Sequence, residues 1–149
     1  LFPYTTLFRS VEKDCQSVKD FLERAGLSSQ GVEETVDNFL IVEKENGEFE
    51  GTLGLEIQGQ SGLLRSLVVK PTMGGEDLFA LFQEILQLGK EKQLTVLYLI
   101  SNKQASVQFF HLLGFRQVDK SLSHEELNHF THARALSTVD NHTIMKFEF

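Results

Sequence analysis

A Gly74-Gly75 pair stands between an apolar run, Leu63-Leu64-Arg65-Ser66-Leu67-Val68-Val69, and an amphipathic segment that begins at Glu76-Asp77-Leu78. A strand that passes through a tight loop into a helix can direct unpaired backbone N–H groups at a phosphate. Glycine, without a Cβ, lets a ligand come close to those groups. Arg65 puts a charge inside the apolar run. An unpaired guanidinium there is costly, so a carboxylate partner is expected, either an acid group of a substrate or Glu56 in a structural pair.

Other chemistries find less support. His111, His124, His129, His132 and His142 raise a metal reading, and His129 and His132 have the i, i+3 spacing of one helical face. No Cys or carboxylate completes a ligand set with suitable spacing, so no metal is expected. Cys15 lies in the apolar series Cys15, Val18, Leu22, Ala25 and reads as a small buried hydrophobe rather than a nucleophile. A nucleophile elbow, a Walker loop and a paired-carboxylate motif are all absent from the sequence.

The elements that position these residues follow from periodicity and turn chemistry. A helix is expected from about Lys13 to Ala25, closed by Gly26, and a short one at Val32 to Val36. Strands at Phe39–Val42 and Phe49–Ile57 are joined across Asn46-Gly47, a dipeptide suited to tight hairpin turns. The run through Val69 is a buried strand, and Leu78, Leu81, Phe82, Ile85 and Leu86 mark one face of a long helix reaching about Lys92. Leu94–Ile100 reads as a strand returning parallel to the earlier one, which makes a βαβ unit. Asn102 opens a helix with Ala105, Phe109, Leu112 and Leu113 expected to face inward. Gly114 ends it before a strand at Phe115–Val118, and Thr143–Phe149 closes the chain as a strand. This order predicts an α/β domain with a mixed sheet, not a doubly wound fold.

A chain of 149 residues with 41% apolar and 23% charged residues fits one domain. Its net charge of −7 provides no basic stripe, so nucleic-acid binding is not expected. No apolar run approaches the roughly 20 residues of a membrane span, and the cytoplasm is the expected location. Residues 1–10, Leu-Phe-Pro-Tyr-Thr-Thr-Leu-Phe-Arg-Ser, read as the in-frame translation of the end of a common short-read sequencing adapter. The domain proper is therefore expected over 11–149, without its native first strand. Tyr4 to Phe8 nonetheless have strand propensity suited to filling that gap.

Over Val11 to Phe149 the chain resembles the GNAT superfamily of N-acyltransferases. Gly51-Thr52-Leu53-Gly54-Leu55-Glu56 is similar to the family's third strand, and Leu67-Val68-Val69-Lys70-Pro71 to a fourth strand ending in Val-x-Pro. Asn102, Ala105, Phe109-Phe110 and Gly114-Phe115 are spaced like its later helix and strand. Leu64 to Val69 further resembles members that acetylate the amino group of small amino-acid-like compounds.

The resemblance implies that acetyl-coenzyme A lies between two splayed parallel strands ending near Val69 and Ser101. Its pantetheine arm would meet the backbone of Leu67, Val68 and Val69 and the side chain of Asn102, which is also a good helix cap. Its diphosphate would meet Gly74, Gly75 and the helix start at Glu76 and Asp77, and Phe109 and Phe110 complete the cofactor-binding set. Glu56 becomes the candidate base for an ammonium group, its other reading being a solvated strand carboxylate. Arg65 becomes the candidate for a substrate acid group.

Two positions depart from the family pattern. The loop lacks the usual basic residue, is one residue shorter, and carries Glu76 and Asp77, which are expected to repel a diphosphate. Many members have Tyr where this chain has Phe110, which has no proton to give a leaving thiolate. The implied function is acetyl transfer to a primary amine of a small molecule by a monomer or homodimer. The alternative is a GNAT-fold binding or regulatory module without catalysis.

Overall fold

The Asn46-Gly47 turn forms as its residue types require. Gly47 takes φ +88°, the Gly47 N–H donates to the Lys44 carbonyl (2.9 Å), and the Glu48 N–H donates to Asn46 Oδ1 (3.0 Å). It joins β2 (Phe39–Lys44) to β3 (Phe49–Gln58), antiparallel from Phe39 opposite Gly54 to Glu43 opposite Phe49, with a register shift at Val42/Glu43. The computed structural model describes residues 5–101, 107–119, 127, 130 and 143–149. Its strands β1 to β7 make one sheet in the order β1-β2-β3-β4-β5-β7-β6, and the expected mixed α/β class holds.

The described chain forms two compact units. One comprises Leu1–Leu55 and Ser66–Leu88, the other Glu56–Arg65 and Gly89–Phe149.

In the first unit, Thr5–Arg9, the segment set apart as adapter-like, forms β1. It runs antiparallel to β2 from Thr5 opposite Lys44 to Arg9 opposite Leu40. Helix α1 (Cys15–Arg24) follows a 3-10 turn at Glu12–Asp14, so the expected helix is tighter in its first turn. It ends in a Schellman arrangement: Gly26 has φ +78°, its N–H bonds to the Glu23 carbonyl, and the Leu27 N–H bonds to the Leu22 carbonyl. Val18 and Leu22 of α1 pack with Val32 of α2 (Val32–Thr35) and with Val36, Phe39 and Ile41 to form the core of this unit. Cys15 packs at its margin, half-buried. Gly54 admits the Phe39 ring, since a Cβ there would lie 2.5 Å from Phe39 Cζ.

Helix α3 (Gly75–Glu91) buries Leu81, Phe82 and Ile85, the stripe its periodicity predicts, while Leu78 and Leu86 are half-buried.

In the second unit, the first residues of β4 (Ser61–Val69) pair in parallel with β5 (Val96–Ser101) at Ser61–Val96, Gly62–Leu97 and Leu63–Tyr98. Along its whole length β5 is antiparallel to β7 (Thr143–Glu148), which also pairs with β6 (Arg116–Gln117). Leu63, Tyr98, Leu127, Phe130 and Ile144 form its core. Helix α4 (Val107–Leu112) closes at Gly114, which has φ +104° and sits against the Phe147 ring. One expectation is corrected here: Leu112 is 85% exposed, because Phe110 takes the buried position of this short helix and stacks edge-on against Phe115. Asn102 and Ala105 lie outside the described residues, as do His124, His129, His132 and His142.

Candidate functional site

Strand β4 leaves the extended conformation at Ser66. Its φ of +58° is shared, among described non-glycine residues, only with Gln93. Between the Gly59-Gln60 turn and the bond from the Lys70 N–H to the Glu50 carbonyl, residues 61–70 run opposite residues 50–58, one residue more on the β4 side, so that side bulges. Such a backbone persists only where its surroundings over-determine it. Thr52, fully buried on β3, donates its hydroxyl to the Ser66 carbonyl at 3.0 Å. Because the peptide is planar and trans, the Leu67 N–H points away from that hydroxyl. Leu67 is exposed, and Val68 and Val69 are half-buried.

Beyond β4 the chain turns through Lys70–Met73, with the Met73 N–H bonded to the Lys70 carbonyl, into α3. The first bond of the helix ladder runs from the Leu78 N–H to the Gly74 carbonyl (3.1 Å), so the N–H groups of Gly75 and Glu76 precede it. Among the described residues, chain neighbours and the helix's own backbone aside, nothing lies within 4 Å of where a Gly75 Cβ would be. Two backbone donors at the positive end of a 17-residue helix suit an anionic group. The two acidic residues of that first turn differ. Glu76 is exposed, whereas Asp77 is 1% exposed and accepts a bond from the Thr5 hydroxyl of β1 (3.4 Å). The Asp77 charge is therefore drawn into the fold.

In the second unit, Glu56 and Arg65 are both buried in the strands that flank the Gly59-Gln60 turn, and both engage neighbouring groups. Glu56 is thus a buried carboxylate and not a solvated one. Phe110 packs edge-on to Phe109 (5.6 Å between centroids) and to Phe115 (6.0 Å). Among the described residues no cluster of three or more His, Cys, Asp or Glu could hold a metal ion. No helix of the described residues is long and apolar enough to cross a membrane.

Sequence reasoning passed over Glu50, Thr52 and Thr72. Thr52 carries no signal beyond β-propensity, but Glu50, acidic in a strand otherwise dominated by apolar and small residues, could have been asked for its partner.

Over 109 residues, covering 72% of this chain and 74% of the relative, the sequence is 34% identical to the uncharacterized protein YwlB of Bacillus subtilis (strain 168). The chain belongs to the YwlB family. No protein-family model matches it. Solved structures place this YwlB-family chain by fold. N-acetylglutamate synthase from Neisseria gonorrhoeae, complexed with coenzyme A and N-acetyl-glutamate, superposes with a TM-score of 0.74 at 18% identity over 99% of this chain. The YwlB-family chain spans only 36% of that synthase chain. Rv2747 from Mycobacterium tuberculosis, in complex with CoA, gives 0.73 at 16% identity over 97% of this chain and 99% of its own. An acetyltransferase of the GNAT family from Staphylococcus aureus gives 0.71 at 14% identity, covering 97% and 98%. The YwlB-family chain has the GNAT N-acetyltransferase fold.

Proposed function

We propose that this protein transfers the acetyl group of acetyl-coenzyme A to the primary amine of a small, amino-acid-like molecule. The observation that carries the reading is the β4 bulge at Ser66, braced by Thr52, followed within one short loop by the open helix start at Gly75. The first supplies an outward backbone donor for a thioester carbonyl, and the second supplies donors for a diphosphate. Coenzyme A complexes of N-acetylglutamate synthase and Rv2747, which share the fold, support the donor. The N-acetyl-glutamate of the synthase complex supports an amino-acid-like acceptor.

In this reading the acceptor ammonium gives up a proton through Glu56 or water, and the free amine attacks the thioester carbonyl carbon. A strand N–H at Leu67 or Val68 stabilises the negative oxygen that develops. The C–N bond forms, the nitrogen loses its second proton to water, the C–S bond breaks, and the thiolate takes a proton from solvent, since Phe110 supplies none. Arg65 is the candidate to hold an acid group of the acceptor.

Exposed Glu76 and the hydroxyl-free Phe110 favour a second reading, a GNAT-fold module that binds without catalysing. Calorimetric titration with acetyl-coenzyme A, followed by thiol release and mass detection against a panel of amino acids including L-glutamate, separates the two. Micromolar binding with an acetylated product supports the enzyme. Binding without product for any amine, or no binding at millimolar donor, overturns the enzyme and supports the module.

A further inference from the structure

Glu50 is 2% exposed, and three of its polar contacts are to the segment that links β4 to α3 or to the lysine beside it. The Lys70 N–H donates to its carbonyl oxygen at 2.9 Å. The Thr72 hydroxyl donates to its Oε2 at 2.8 Å, and Lys44 Nζ lies 2.9 Å from its Oε1. Pro71 and Thr72 are exposed, so burial of their own side chains does little to hold the loop. The apolar hold comes from Met73, whose Sδ lies 3.0 Å from where a Gly51 Cβ would be. A buried carboxylate is costly unless paired and fully hydrogen-bonded. Here its bonds run to a surface loop, and Lys44 offsets its charge.

We propose that Glu50 is a positioning residue that holds the Lys70–Met73 loop in the form that presents the Gly75 and Glu76 N–H groups to the diphosphate of acetyl-coenzyme A. This inference rests on the acetyl-transfer reading above. The carboxylate acts at a distance of one loop: it anchors Lys70 through backbone and Thr72 through side chain, and Gly74 and Gly75 follow directly. With Lys44 beside it, the Glu50 charge adds little repulsion toward an incoming anion.

The test compares two probes, coenzyme A and S-acetylpantetheine, which lacks the diphosphate, by calorimetry on the full chain. Thr72→Val alters an exposed side chain and leaves the core intact. It is expected to weaken coenzyme A about tenfold while leaving S-acetylpantetheine within twofold. Glu50→Gln keeps an oxygen for the Thr72 hydroxyl and is expected to lose less than Glu50→Ala. Adding Thr72→Val to Glu50→Ala is expected to cause no further loss, since both remove one interaction. Coenzyme A binding within twofold of wild type in folded Thr72→Val, or equal losses for both probes, overturns the proposal alone. Failure of the wild type to bind coenzyme A overturns the acetyl-transfer reading and this inference with it.

Discussion

The hydroxyl of Thr52 and the carbonyl of Ser66 are joined by a buried 3.0 Å hydrogen bond, and Ser66 is the residue at which β4 adopts a left-handed backbone. A non-glycine residue at positive φ costs roughly 1–2 kcal/mol, a penalty that a single buried hydrogen bond of about 1 kcal/mol offsets only in part. The rest of the restraint comes from the neighbouring strand and loop.

Removing the Thr52 hydroxyl leaves the Ser66 carbonyl buried without that partner. Thr52→Val, nearly isosteric, is expected to lower stability by about 1–3 kcal/mol, read from the denaturant midpoint, and Thr52→Ser to recover most of it. If the bulge also orients the Leu67 N–H, acetyl transfer falls in Thr52→Val with little change in donor affinity, and Thr52→Ser restores it.

The two carboxylates at the start of α3 should respond differently. Glu76→Gln removes an exposed negative charge beside the open Gly75 and is expected to raise coenzyme A affinity about two- to fivefold at low ionic strength, with the gain shrinking as salt is added. Asp77→Asn acts on a buried group that accepts from Thr5, so its main effect is expected on stability, a loss of about 1 kcal/mol. Equal affinity changes in the two variants would contradict this division.

Gly54 is a packing residue. An alanine methyl at Gly54 would meet the Phe39 ring at 2.5–2.8 Å, with Phe39 itself fully buried. Gly54→Ala is expected to destabilise by about 1–3 kcal/mol, and replacing Phe39 by Leu in the same chain should recover part of the loss in a thermal melt.

Glu148 gives a pH signature. A hydrogen bond from Lys146 (3.0 Å), and secondly the Arg116 guanidinium, hold its carboxyl below the ordinary value. The folded pKa is depressed, so the pair contributes above the unfolded carboxylate pKa and the contribution is lost as pH falls through the folded one. Glu148→Gln should therefore lower the melting temperature slightly at neutral pH and not at all in strong acid, and high salt should erase the difference because the group is exposed.

Local features were the legible ones. The α3 stripe, the Gly26 and Gly114 helix ends and the Asn46-Gly47 hairpin each depend on residues within a few positions of one another, and all are found where periodicity and turn chemistry put them. The site is legible only in part. Gly74 and Gly75 lie at a loop and helix start as expected, and Glu56 and Arg65 flank one turn. The bulge at Ser66 depends on which residue of β3 faces it, and Glu50 shows its role only once Thr72 is folded onto it, 22 positions away. Two carboxylates were expected beside the loop, and one of them is buried where it accepts from Thr5, 72 positions earlier. Leu112 failed for a different reason: a helix of six residues has too few turns for its apolar spacing to choose a face.

β1 has a consequence beyond completing the sheet. Phe39 to Val42 are all buried, and β1 covers the outer ladder of that strand from Leu40 to Lys44. Stripped of this cover, β2 would become a long apolar rim of the kind that recruits other chains edge to edge. The same deletion would remove the Thr5 hydroxyl from Asp77 and the Arg9 guanidinium from Glu84, both on α3. The opening residues thus bear on α3 as well as on the sheet: without them Asp77, at the start of the helix, loses the Thr5 hydroxyl that meets its buried carboxylate.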